Sequence, residues 1–330
     1  MEVRGLSLRD MYVARQKLAG VVRRTPLIEA TGLGKSLGAT IVLKAENLQH
    51  TGSFKIRGAM NKISSLSPAE RARGVIAVST GNHGRAVSYV AQEMGVPAVV
   101  CLSEAVPENK LAAIRDLGAE LVMGGKTYDA AAERAQALQQ ERRLTMVHPF
   151  DDPLVIAGQG TIGIEILEDF PAIDTVVVPL SGGGLISGIG LALKTARRAT
   201  RVIGVTMDRG PAMVESLKAG KIVEVIEEPT LADALAGGIG HDNHYTFQMV
   251  QALVDETALV SEHEIAAGMA YALEKHNLVL EGAGAVGLSA LLHGKVDVTG
   301  NQVAVVLSGG NVDVNALVRI VSDAGSPYTR

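Results

Sequence analysis

Short apolar runs alternate with amphipathic segments along nearly the whole chain. The runs at residues 41–44, 74–78, 98–102, 120–123, 175–179, 201–205 and 302–307 are rich in Val, Ile and Leu, with few polar interruptions. Such runs predict strands buried on both faces. Between them lie segments with helical character. Residues 128–143 are rich in Ala, Gln, Glu and Arg, which favour helix. Ser261-Glu262-His263-Glu264 has the spacing of a capping box and predicts a helix running to about His276. Strands alternating with helices predict βαβ units, an α/β fold and a mainly parallel sheet. Residues 74–148 read as a compact strand–helix series of their own. The stretch that follows, His148-Pro149-Phe150-Asp151-Asp152-Pro153, suits a crossing between domains. This predicts a small domain, 74–148, inserted in a large domain made of 1–73 and 149–330.

Composition narrows the class. Lys and Arg number 31 against 35 Asp and Glu, a formal net charge of -4. A dedicated nucleic-acid binder is usually basic, so no nucleic-acid partner is expected. Hydrophobic residues make up 47% and aromatics only 3%, with no Trp. The core must therefore be aliphatic, which is the palette of parallel strands under helices. The single cysteine, Cys101, excludes an intramolecular disulfide and a cysteine-built zinc cage. Its flanks read as a buried strand, so it is a structural thiol. No apolar run approaches the roughly 18 residues that span a bilayer. The N-terminus lacks the apolar core of a signal peptide. No membrane partner is expected, and the predicted location is cytoplasmic.

Glycine, at 37 residues, is where chemistry enters. Ser79-Thr80-Gly81-Asn82-His83-Gly84, Ser181-Gly182-Gly183-Gly184-Leu185 and Ser308-Gly309-Gly310-Asn311 each follow a predicted strand. In open parallel sheets ligands sit beyond the carboxyl ends of strands. Glycine lets backbone approach a ligand, and a helix N-terminus offers free N–H groups to an anion. Together the turns suggest one composite site for an anionic ligand, although each alone also reads as a tight βα connection. The triple glycine is the phosphate candidate. No lysine follows it in the Walker pattern. A dinucleotide site competes: Gly182 and Gly184 precede a helix, and Asp208 follows the next strand at the distance of a ribose-binding acid. The third glycine of that fingerprint is replaced by Ser187.

Thr51-Gly52-Ser53-Phe54-Lys55-Ile56-Arg57-Gly58-Ala59 is the remaining candidate. Ser53 is expected to cap a helix starting at Phe54. Lys55 then lies in the first turn, where the dipole disfavours a cation. It is either a solvated surface lysine or a lysine wanted as a neutral amine beside a flat ring. His241-Asp242-Asn243-His244 is read as a polar loop rather than a metal pair. Asp151 and Asp152 are read as turn residues. Glu281 is placed near the site or, equally, at a helix N-terminus.

These residues resemble the serine/threonine dehydratase family of pyridoxal-phosphate (PLP) enzymes, the fold-type II class shared with serine racemase. The likeness runs from Arg24-Thr25-Pro26-Leu27 through Ser53-Phe54-Lys55-Ile56-Arg57-Gly58-Ala59, Gly81-Asn82-His83-Gly84 and Ala157-Gly158-Gln159-Gly160-Thr161 to Ser308-Gly309-Gly310-Asn311. The resemblance implies two open, twisted, mainly parallel sheets flanked by helices, a small-molecule amino-acid substrate and a homodimer. It implies that Lys55 carries PLP as a Schiff base and acts as the base at the substrate Cα. Phe54 would pack on one ring face and Asn82 would contact the ring 3-hydroxyl. Ser181, Gly182, Gly183, Gly184 and Leu185 would form the phosphate loop. Ser308 would face the ring nitrogen. Ser79, Thr80, Asn82 and His83 would hold the substrate carboxylate. The implied reaction is loss of water from a β-hydroxy amino acid, giving a keto acid and ammonia.

Departures refine the picture. Serine racemase has a serine, the base on the opposite ring face, where this chain has Thr80, so racemase activity is not implied. Relatives bind a divalent cation through a glutamate where this chain has Thr206, so no metal is expected. Little sequence follows Ser308, so the regulatory domain of biosynthetic threonine deaminases is not expected here. The Thr80 turn and Thr206-Met207-Asp208-Arg209-Gly210 are most similar to the hydroxyectoine-utilisation dehydratases, which implies a hydroxylated, ectoine-derived substrate. Two alternatives stand beside this: an NAD-dependent dehydrogenase using Gly182, Gly184 and Asp208, and a non-catalytic amino-acid-binding homologue.

Overall fold

A computed structural model describes residues 1–79, 81–104, 108–125 and 128–324. The apolar runs become the strands of two sheets. The larger has the order Glu256–Val260, Arg201–Met207, Thr175–Pro179, Gln302–Leu307, Thr40–Ala45, Leu27–Glu29. Its first five strands are parallel, and Leu27–Glu29 closes the edge antiparallel. The smaller has the order Glu120–Met123, Ala98–Leu102, Val75–Val78, Thr145–Met146, all parallel. Every strand of the smaller sheet falls within residues 74–148.

Central strands such as Thr175–Pro179 and Val75–Val78 are buried along their whole length, which is why they read as unbroken apolar runs. The edge strands Leu27–Glu29, Thr145–Met146 and Glu256–Val260 are partly exposed and carry polar residues. They lack the continuous pattern and were not legible as strands.

Alternate residues of the large sheet feed two cores. Val177, Ile203, Val303 and Val305 pack with helices Glu262–His276 and Gly282–Leu292. Val176, Val178, Ala304 and Val306 pack with helices Pro153–Asp169 and Gly184–Ala196. Each fully buried Val or Ile contributes about 1.5–3 kcal/mol. On the small sheet, Val75 and Ala77 meet helices Lys55–Ser64 and Asn82–Met94. Ile76, Val78 and Cys101 meet helix Tyr128–Arg142. Cys101 is fully buried there as an apolar filler, and burial raises its thiol pKa.

The helix Lys55–Ser64 packs against elements around both sheets. One side packs on the small sheet, and another lies against helix Pro153–Asp169. A Cβ on Gly58 would stand 2.4 Å from Gln159 Nε2, and one on Gly158 would stand 2.5 Å from the Arg57 carbonyl oxygen. These glycines permit the close crossing. The expected Ser53 cap is not made: the helix begins at Lys55, Phe54 is the capping residue, and no side chain caps it. The Ser53 hydroxyl is buried without a partner. Its backbone is instead bridged to Gly309, which draws it out of capping position. The Ser261 cap is made as expected, with Ser261 Oγ accepting from the Glu264 N–H.

Candidate active site

The turns that follow the strands converge on one cavity of about 1260 Å³. Lys55 enters it at the start of its helix. The Phe54 N–H donates to the Ser308 carbonyl at 3.1 Å, and Ser53 pairs with Gly309. These bonds clamp the lysine to the end of the strand Gln302–Leu307. Lys55 Nζ donates to the Pro149 carbonyl at 2.8 Å and lies 5.2 Å from the centre of the Phe54 ring. Loss of hydration lowers its pKa to about 8, and the Glu281 carboxylate opposes that shift. The amine is thus available in its neutral form near physiological pH.

The triple glycine opens the helix Gly184–Ala196. Gly183 caps it at φ +87°, a left-handed conformation natural to glycine, and no side chain covers its end. A Cβ on Gly182 would stand 2.4 Å from the Phe150 ring. The first N–H groups of the helix have no intrahelical partner and form an anion cradle beside the lysine. Ser181 lines the cavity with them, and the Leu185 side chain packs into the apolar core beneath.

Across the cavity, Asn82 begins the helix Asn82–Met94. Its Nδ2 donates to Glu281 Oε1 at 2.6 Å, and its Oδ1 accepts from Asn311 Nδ2 at 2.6 Å. One amide hydrogen remains for a ligand. Asn311 in turn accepts from Arg85 at 2.8 Å. Ser79 Oγ accepts from the Gly81 N–H at 3.2 Å. Ser308 Oγ donates only a long bond, 3.4 Å, to the Ala283 carbonyl, so its hydroxyl can be re-aimed. His83 differs from the rest. Its Nε2 lies 2.7 Å from the Val147 carbonyl and so carries the proton there, while its buried Nδ1 has no partner. Burial lowers its pKa to about 3. A neutral ring with its proton committed cannot donate to a carboxylate, so the part left to His83 is its backbone N–H. Thr80 lies outside the described residues.

The other candidates disperse. Asp151 accepts from the backbone N–H groups of His244, Tyr245 and Thr246. Asp152 caps helix Pro153–Asp169 and pairs with Lys62 at 2.6 Å, so the two aspartates are not an acid pair. His241 pairs with Glu224 on the surface. Among the described residues no group of three His, Cys, Asp or Glu could hold a metal. Thr206 is buried, with its hydroxyl on Met207 Sδ. Asp208 is exposed and does not line the cavity. Among the described residues no helix is long and apolar enough to cross a membrane.

The comparisons with known proteins agree with this geometry. Residues 18–309 match the family described as pyridoxal-phosphate dependent enzyme. An L-threonine ammonia-lyase of Thermotoga maritima is 47% identical over 96% of this chain and 78% of its own. The catabolic L-threonine dehydratase of Escherichia coli is 40% identical over 96% of both. Maize serine racemase superposes with a TM-score of 0.90 at 31% identity, covering 96% of this chain and 97% of its own. The chain belongs to the PLP-dependent enzyme family, in the fold-type II class. Within it, the chain is a PLP-dependent lyase related to the threonine dehydratases, and its cofactor is PLP. The residues present fit that cofactor: an anion cradle free of side chains, a lysine amine of lowered pKa and a re-orientable hydroxyl face one cavity. The dinucleotide alternative is overturned by the family match and by the place of Asp208. The non-catalytic alternative falls with the enzymes among its relatives.

Several functional residues were not singled out from the sequence. The Pro149 carbonyl that holds the lysine, and the Phe150 ring that lies against the triple glycine, are in a stretch read only as a crossing. Asn311 was quoted within a motif, but its bond to Asn82 joins residues 229 positions apart.

Proposed function

We propose that the protein removes water from a β-hydroxy amino acid of the threonine or serine type, the remaining unsaturated amino acid hydrolysing to a keto acid and ammonia. The observation that carries this is the placing of Lys55: its amine, of lowered pKa, lines the same cavity as the anion cradle and Ser308. Lys55 would carry PLP, and its Nζ would take the proton from the substrate Cα. PLP, when bound, supplies the electron sink for the bond broken at Cα. Ser181, Gly182, Gly183, Gly184 and Leu185 hold the phosphate, and Phe54 packs on the ring. Asn82 spends its remaining amide hydrogen on the ring 3-hydroxyl. Ser308 would face the ring nitrogen with a hydroxyl, which cannot protonate it as a carboxylic acid would and so suits prompt loss of a leaving group. Ser79, Thr80 and the backbone N–H groups of Asn82 and His83 take the substrate carboxylate at a helix N-terminus.

A hydroxylated, ectoine-derived amino acid is the narrower substrate in this reading, supported by the short likeness at Thr206-Met207-Asp208-Arg209-Gly210. The reading includes a homodimer in the cytoplasm, which sedimentation and fractionation test. It also includes a small unit of residues 74–148, supported by the strands of the smaller sheet. The deciding experiment follows visible absorbance and ammonia release in wild type and Lys55→Ala, with L-threonine, L-serine and an ectoine-derived hydroxy amino acid. A yellow wild type bleached by borohydride, a variant without that band and ammonia from one substrate are expected. A Lys55→Ala protein that keeps both band and turnover would exclude the lysine.

A further inference from the structure

Arg24-Thr25-Pro26-Leu27, Arg57 and Gly158-Gln159-Gly160-Thr161 take no part in the cavity, yet they meet in one place. Arg57, two residues after Lys55, points into the protein and is 1% exposed. Its Nε donates to Glu46 at 2.8 Å. Its Nη1 donates to Thr161 at 3.0 Å and to Glu165 at 2.7 Å. Its Nη2 donates to Glu46 and to Glu165, each at 2.8 Å. A guanidinium has five N–H donors, and these contacts use them all. Lys44 Nζ closes the far side, donating to Glu165 and to the Thr25 carbonyl, each at 2.6 Å. The Thr25 hydroxyl donates to Glu46. Lys44 and Glu46 are fully buried. Two cations face two carboxylates, so the cluster is balanced.

Such a cluster is a poor device for stability alone. Well-packed apolar residues of similar volume are often as stable or more so, whereas losing one partner strands a buried charge. What a fully used guanidinium adds is direction, because its planar fork fixes two carboxylates at once. Glu46 directly follows the strand Thr40–Ala45, and Glu165 and Thr161 belong to helix Pro153–Asp169. The segment leading into that helix contains Pro149, whose carbonyl holds Lys55 Nζ. Lys62, on the Lys55 helix, pairs with Asp152, which caps the same helix.

We propose that the buried cluster of Lys44, Glu46, Arg57 and Glu165 positions Lys55, by locking the helix that begins at Lys55 against the helix whose leading segment holds the lysine amine. These are positioning residues: they act through the Lys55 helix and touch neither the cavity nor a ligand. The inference rests on Lys55 being the reactive lysine. A displacement of about 1 Å at reacting atoms costs up to about 100-fold in rate. Loosening the cluster should therefore lower kcat while leaving KM little changed.

The test uses the PLP-loaded enzyme for kinetics and the PLP-stripped enzyme for competitive amine labelling of Lys55 against pH. The variants are Arg57→Lys, the balanced pair Lys44→Met with Glu165→Gln, and Thr161→Val. The first two should bind PLP in full, lose about 10- to 100-fold in kcat, and show a Lys55 labelling midpoint moved up from the wild-type value. Arg57→Lys, which keeps the charge but not the fork, should not rescue. Folded variants with lowered melting temperature but wild-type kcat and labelling midpoint would overturn the proposal. If those two variants do not fold, Thr161→Val decides. It removes one acceptor of Arg57 at constant shape and should shift the midpoint and lower kcat several-fold; no change in either overturns the proposal. Mapping the borohydride-fixed cofactor separates the two readings. Cofactor on another lysine sinks both, while cofactor on Lys55 with unaffected variants sinks only this one.

Discussion

The Lys55 amine can keep its bond to the Pro149 carbonyl in either protonation state, but only the neutral amine has a lone pair to attack or to take a proton. In the unfolded chain it titrates near its ordinary 10.5, and in the folded, PLP-free chain near 8. Between those values the unfolded chain holds the proton and the folded chain does not, so stability rises with pH across that window. The gain is at most about 3 kcal/mol. Denaturant unfolding of the PLP-free protein at pH 8 and pH 10 should show it in wild type and not in Lys55→Ala. Gly182 makes a second residue-scale prediction. A methyl there meets the Phe150 ring, so Gly182→Ala should weaken PLP binding about 10- to 100-fold, a cost of 1–3 kcal/mol typical of overpacking. Gly182→Ala with Phe150→Leu should recover part of the loss in a PLP titration. The sequence showed the glycines but not the ring they lie against, since Phe150 is 32 residues away.

At the scale of elements, the crossing 148–153 and the Val147 before it tie the site together. Val147 holds His83, Pro149 holds Lys55 and Phe150 underlies the triple glycine. Asp151 gathers three backbone N–H groups at the start of helix Thr246–Leu253. That helix backs the triple glycine, because a Cβ on Gly183 would stand 2.9 Å from Val250. Asp151→Ala should cost about 1–3 kcal/mol of stability, as loss of a charged acceptor does, and weaken PLP binding as well. Asp151→Asn, which keeps one oxygen, should cost less. Calorimetry and PLP titration of the two variants check this. A stretch rich in Pro and Asp reads as a turn, and it is one; its contacts are with elements on both sides of the cavity and so left no local signal.

At the scale of the molecule, the cavity lies between elements of both sheets: Asn82 follows a strand of the smaller, while Lys55 and Ser308 are clamped together at the end of a strand of the larger. A ligand that binds there stabilises the fold by mass action. Stripping PLP should lower the melting temperature, and restoring it at about 100 times its Kd should return about 2.7 kcal/mol. Scanning calorimetry of the stripped and reloaded protein measures this. If Lys55 carries the cofactor as proposed, the shift should be much smaller in Lys55→Ala.

The sequence by itself determined the strands of the sheet interiors, the α/β class and the three glycine turns, because buried parallel strands and tight turns impose local composition. It also carried the lysine, through a motif specific enough to show its family. Tertiary structure alone decided which side chains face each other. The lowered pKa of Lys55 comes from burial, the proton of His83 is committed to Val147, and Arg57 is closed in by Glu46 and Glu165. Those outcomes depend on hydration lost and distances set by packing between segments far apart in the chain, and no local pattern records them.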